Sequence, residues 1–167
     1  MSSRAIPYTY QSLSKDPDEI RLLWLMPSST SGGLEIEIIN VSFSAPPAYE
    51  ALSYAWGSSE RPYRATPAQS SYLAISHNLS IALQHITLSE QPRCLWIDAI
   101  CINQDDIPER SEQVKKMASI YSRAQQVILW LGEESDQSTL AFKTLSKLGD
   151  GVGILAMGRR KTFPLTA

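Results

Sequence analysis

Across 167 residues, 15 basic and 17 acidic side chains leave a net charge of −2, with 43% of the chain hydrophobic and 19% charged. That length and composition predict one domain with a real core, and the charge balance gives no reason to expect nucleic acid as a partner. Lys115-Lys116 and Arg159-Arg160-Lys161 are too short to make a basic patch.

Residues 1–33 read as a loop-rich lead-in ending in the turn-forming run Pro27 to Gly33. Leu34 to Val41 alternates, with Leu34, Ile36 and Ile38 opposite Glu35 and Glu37. This predicts a half-buried strand at a sheet edge. Ala45-Pro46-Pro47 ends it. Ala51 to Trp56 is a second, more buried strand, stopped at Gly57. Residues 58–71, with Pro62 and Pro67, form a long loop or a loop with a short hairpin, and Tyr72 to Ile75 a small strand. Asn78 is placed to cap a helix whose buried face is Leu79, Ala82, Leu83 and Ile86.

Cys94 to Asp98 is the third main strand. Asp106 and Glu109 resemble a capping box around Pro108, opening a helix expected to bury Val114, Met117, Ala118 and Tyr121. Val127 to Leu131 is a fourth strand, ended by Gly132. A last helix is expected from Ser135 through Leu140, Leu145 and Leu148. Residues 149–167 read as a poorly ordered tail, which leaves 34–148 as the domain. Gly151-Val152-Gly153-Ile154-Leu155-Ala156 fits the loose dinucleotide-binding pattern, but it lacks a preceding strand and is set aside. The strand-helix alternation from residue 50 predicts an α/β fold. Its sheet should be short, mostly parallel and flanked by helices, with an N-terminal edge strand or hairpin.

The densest chemistry lies between the third strand and the next helix. Asp98, Cys101, Gln104, Glu109, Arg110 and Gln113 follow a buried strand, where open α/β sheets bind ligands. Arg110 and Gln113 lie three apart in the first turns of a helix, next to its unpaired N–H groups. The set suits an anion or a polyhydroxyl ligand such as a nucleotide ribose-phosphate. Asp98 and Arg110 are expected to touch, or to line one polar pocket together with Gln113. The alternative is that this pair only locks the loop. Trp56, at a strand end before Gly57, is expected to cover the same sheet edge, as a packing lid or a ligand-stacking ring. His77, His85, Cys94 and Cys101 lack the spacing of a metal site, so no metal is expected. A Cys101 nucleophile with a histidine is a weaker alternative.

Several of these blocks carry a resemblance. Tyr49 to Gly57, Leu95 to Gln104, Glu109 to Val114 with Met117, Ile120-Tyr121 and Ala124, and Val127 to Gly132 together resemble the fungal heterokaryon incompatibility (HET) domain. Ile20 to Leu25 is similar to that family's leading segment, and the likeness covers roughly residues 8–135. It implies a flavodoxin-like fold distantly similar to TIR (Toll/interleukin-1 receptor) domains. It also implies an effector role in non-self recognition and programmed cell death. The TIR likeness implies cleavage of NAD at the nicotinamide–ribose bond, with Asp98 the first choice for the acid and Glu109 the second. NAD would be a substrate, and no cofactor is expected. The competing reading is a non-catalytic homotypic assembly domain, or a truncated orphan HET domain, whose partner is a second copy or an incompatibility protein.

Met1 to Tyr10 lacks the apolar run of a secretory signal, and no segment reaches the roughly 18 apolar residues of a membrane span. A cytoplasmic location is expected, which leaves the glycosylation motifs at Asn40 and Asn78 unused. Cys94 and Cys101 are seven apart, at opposite ends of one strand-loop unit, and are expected to stay reduced.

Overall fold

The computed structural model describes residues 6–14, 18–27, 33–67, 71–132 and 153–155. These contain β1 (Ile6–Pro7), β2 (Glu19–Leu25), β3 (Leu34–Ser42), β4 (Glu50–Tyr54), β5 (Tyr63–Pro67), β6 (Ser71–Ile75), α1 (His77–Ile86), β7 (Arg93–Trp96), α2 (Asp98–Cys101), α3 (Ile107–Arg123), β8 (Val127–Trp130) and β9 (Gly153–Leu155). Among the described residues the strands form one nine-stranded sheet in the order β1-β6-β5-β3-β2-β7-β4-β8-β9. The α/β class holds. The helix expected from Ser135 lies outside the described residues.

The sheet is larger and more mixed than a short, mostly parallel one. β7, β4, β8 and β9 run parallel to one another. β2 runs antiparallel to both its neighbours, β3 and β7, and β5 and β6 are also antiparallel. The lead-in is responsible. Ile20, Leu22, Leu23 and Leu25 of β2 are buried, so this strand occupies the middle of the sheet. Its apolar run lacks the alternation that betrays a half-exposed strand, as befits a strand covered on both faces. β3 pairs with β2 from Glu19↔Ser42 to Leu25↔Ile36 and with β5 on its other side, so the expected edge strand is internal. At the far end β9 joins the sheet parallel to β8, where the sequence suggested only tail.

The helices follow their apolar faces, with two changes of detail. In α1, Leu79, Ala82, Leu83 and Ile86 are buried, as their spacing predicts. The cap is Ser76, whose hydroxyl accepts from Leu79 N at 3.3 Å, not Asn78. In α3 the Asp106 carboxylate caps Glu109 N at 2.9 Å, but the box is half made, because Glu109 turns elsewhere. The inward stripe of α3 is Glu109, Gln113, Lys116 and Ile120, with Met117 and Tyr121 half-buried. Val114 and Ala118, expected inside, are exposed. Polar residues at the start of the buried face hid its phase from the apolar pattern. Trp96 and Tyr121 meet edge to face at 5.4 Å and pin α3 against the parallel strands. Among the described residues no helix is long and apolar enough to cross a membrane.

This packing sets a test of helix phase. Ile120 is 0% exposed and Val114 is 51% exposed. Ile120→Ala should cost about 2–5 kcal/mol in chemical denaturation, the usual range for a truncated core aliphatic. Val114→Ala should stay within about 0.5 kcal/mol. Equal losses would mean that α3 is rotated from this orientation.

Candidate functional site at the carboxyl ends of the parallel strands

β4 and β7 run parallel with Ala51 beside Trp96, so both send their carboxyl ends toward the same edge of the sheet. Beyond Tyr54 the chain continues through Ala55 and Trp56 to Gly57, whose φ of 68° needs a residue without a Cβ. Beyond Trp96 it enters α2, which opens on Asp98. The two ends are joined by their side chains: the Trp56 indole N–H donates to Asp98 Oδ2 at 2.9 Å. Asp98 Oδ1 accepts from Ala99 N at 2.7 Å. Burial pushes the Asp98 carboxyl above the ordinary carboxylate range, against the pull of these two donors. Burial also pushes the Tyr121 hydroxyl up to about 12, with the Asp98 charge adding to the effect. Asn78 completes the frame. Its amide donates to Ala55 O at 2.6 Å and accepts from the Trp130 indole at 2.8 Å, linking the loop after β4 to the end of β8. Beside Trp56 opens a cleft of about 120 Å³, lined by Tyr54, Trp56, Ser58, Ser59, Arg61 and Ser76 among others.

A second polar cluster supports this edge from behind. Arg21 of β2 is 1% exposed and grips Glu109 of α3 through both carboxylate oxygens, at 2.5 and 2.9 Å. It also donates to Gln11 O at 2.6 Å and Cys101 O at 3.3 Å. Glu109 accepts from Asn103 N at 2.8 Å. The Tyr10 ring lies 5.0 Å from the guanidinium carbon, and the Tyr10 hydroxyl donates to Ile100 O at 2.9 Å. Gln104 closes the loop from within by donating to Asp98 O at 3.0 Å. Glu109 is thus committed to Arg21 and the loop backbone and, with Gln113, borders a separate cavity of about 660 Å³, whereas Asp98 is the acid bonded to Trp56 of the smaller cleft.

The expected Asp98–Arg110 contact does not form. Arg110 is exposed and donates to Gln104 O at 3.3 Å. Gln113 is 4% exposed and donates to Glu19 O at 3.1 Å. Residues three apart on a helix share a face only loosely, and Arg110 falls one position beyond the inward-facing Glu109. Cys101 is 1% exposed, and burial pushes its thiol up to about 12. Its sulfur accepts from Ile97 N at 3.4 Å, so it packs the loop rather than meeting a ligand. His77 and His85 lie against Tyr63 and Trp130, at ring distances of 5.0 and 5.1 Å. Arg21 and Asn78 were not singled out from sequence as site residues. A lone arginine inside the apolar run Ile20 to Leu25 was the available signal for the first.

Comparison with known proteins follows the same residues. Residues 49–152 match the family described as "Heterokaryon incompatibility protein (HET)". Over 155 residues the chain is 38% identical to the Neurospora crassa protein named "Heterokaryon incompatibility protein 6, OR allele". That alignment covers 85% of this chain and 23% of the relative's length. No solved structure matches. The family match takes in Trp56, Asp98 and Glu109 but begins after β2 and β3, so Arg21 reaches Glu109 from outside it.

Arg21→Met and Glu109→Gln should each cost about 3–5 kcal/mol, because each strands a buried partner. The pair Arg21→Met with Glu109→Leu should cost less than the sum, since no charge is then left alone. Urea denaturation of the three variants measures this. Single-variant losses below about 1 kcal/mol would remove the pair as a support of the site.

Proposed function

The chain belongs to the heterokaryon incompatibility family, and on that premise we propose that it is an effector module of fungal non-self recognition and programmed cell death, acting by hydrolysis of NAD. The observation that carries the chemical part is Asp98, a half-buried carboxylate at the carboxyl end of parallel strands, held by the Trp56 indole beside a cleft. The flavodoxin/TIR-like reading of the fold draws its support from the same parallel half, β7-β4-β8.

In this reading the C1′–N bond of the nicotinamide riboside breaks, and its electron pair leaves with the ring as neutral nicotinamide. The ribose carbon passes through an oxocarbenium-like state, which the Asp98 carboxylate stabilises. Water adds at C1′, its proton goes to Asp98 and then to solvent, and ADP-ribose is released. The reaction balances with NAD and water alone. NAD is a substrate, and no resident cofactor, metal, nucleic acid or membrane enters. We place the reaction in the cytoplasm.

A second reading, a homotypic assembly module, is favoured by Ile107 and Val114 of α3, which are 63% and 51% exposed. Its partner would be another copy or an incompatibility protein. Sedimentation of Ile107→Asp against the parent chain separates the two readings, since hydrolysis by an isolated monomer does not need that face.

Incubation with NAD should release nicotinamide, and Asp98→Ala should lower the rate by at least about a hundredfold. Unchanged release would sink the assignment of Asp98. Stabilising a cation requires Asp98 ionised, so the rate should fall as pH drops through its raised pKa. Trp56→Phe removes a donor that favours the ionised form. The acid limb of the pH profile should therefore move to higher pH.

A further inference from the structure

Eight arginines and lysines lie among the described residues, and their partners differ in kind. Arg21, Arg93 and Lys115 form ion pairs with Glu109, Glu50 and Glu112. Arg64 and Arg123 lie over the rings of Tyr72 and Phe43. Arg110 and Lys116 donate to backbone carbonyls. Arg61 remains, with no ion pair, hydrogen bond or ring contact among the described residues, and it lines the cleft beside Trp56. We propose that this cleft is the phosphate subsite of a nucleotide ligand, and that Arg61 is the residue that fixes the ligand's anionic end. The proposal rests on the nucleotide reading above and names which end of the ligand goes where.

Three observations converge on it. The first is size. At about 120 Å³ the cleft is well below the roughly 300 Å³ at which pockets enclose a whole drug-sized ligand. It holds one group, and the rest of the ligand must lie outside, where Trp56 presents a ring that is 43% exposed. The second is chemistry. Besides Arg61 and the aromatic side chains, the walls include the hydroxyl-bearing Ser58 and Ser59 and the Ser76 cap of α1, set among four aliphatic residues that make much of the lining apolar. A ten-residue helix therefore turns its positive end toward the cleft. A guanidinium, hydroxyl donors and a helix N-terminus together suit phosphate oxygens. The third is polarity. Tyr54 lies within the fields of both Asp98 and Arg61, which act on its hydroxyl in opposite directions. Tyr54 and Arg61 both line the cleft, and Asp98 is bonded to a third lining residue, Trp56. A ligand that carries a cation as well as anionic groups, such as a pyridinium nucleotide, finds a counter-charge for each.

The test uses the full chain and calorimetric titration with ADP-ribose, adenosine and inorganic phosphate. Arg61→Met should weaken ADP-ribose at least tenfold, change adenosine less than twofold, and raise KM for NAD while leaving kcat within threefold. Arg61 is exposed, so the variant should fold like the parent. ADP-ribose binding that is absent from the parent, or unchanged in Arg61→Met, overturns the proposal. So does Arg61-dependent binding of inorganic phosphate with ADP-ribose no tighter. If the parent releases no nicotinamide yet binds ADP-ribose through Arg61, the subsite stands and the hydrolytic reading falls. If nicotinamide is released and Arg61→Met leaves KM and binding untouched, the reverse holds.

Discussion

A guanidinium in the middle strand of a sheet has to be paired, and much of this structure is arranged around that requirement. Arg21 is 1% exposed, and an isolated charge at such a depth would be costly. Its solution draws three parts of the chain together. Glu109 comes from the first turn of α3, Cys101 from the end of α2, and Gln11 from the segment before β2. The bond to Cys101 O also fixes the far end of the short helix that opens on Asp98. Such a pair adds little to net stability compared with apolar packing, but removing either partner is expensive. It ties the first turn of α3, already capped by Asp106, to the middle strand of the sheet.

The α/β class, the α1 face and the strands at residues 51 and 94 were legible in the sequence, because periodicity and turn residues are local signals. What escaped was non-local. β2 has a continuous apolar run, which says buried but not where, and its place at the centre depends on pairing with β3 and β7. The phase of α3 was misread because its inward positions begin with Glu109 and Gln113, which satisfy Arg21 and Glu19 from the far side of the fold. Asp98 was legible as a strand-end acid. Its partner was not, since the Trp56 indole lies 42 residues away in sequence and only the parallel pairing of β4 with β7 brings the two together.

The polar residues at this sheet edge divide by function along a simple line. Gln104, Glu109, Gln113 and Asn78 spend their hydrogen bonds on backbone or on one another's elements, and they shape the loop. Trp56 and Arg61 line the small cleft, Asp98 is held by Trp56 at its side, and Glu109 and Gln113 line a separate cavity as well as bracing the backbone. The sequence motif mixes both kinds, which is why a run of polar residues after a buried strand overstates the number of groups able to meet a ligand.

The place of β2 also bears on how such a unit could be moved between proteins. The family match starts at residue 49, but β7 has one neighbour inside that span, β4, and its other neighbour, β2, outside it. A segment cut at the match boundary would carry β7 with Leu23, Trp24 and Leu25 stripped from its side. An apolar strand bared in that way becomes a template for other chains. Shuffling the recognisable part alone would therefore spread an aggregation-prone fragment. The transferable unit has to include the β2–β3 hairpin, which lies ahead of the family match.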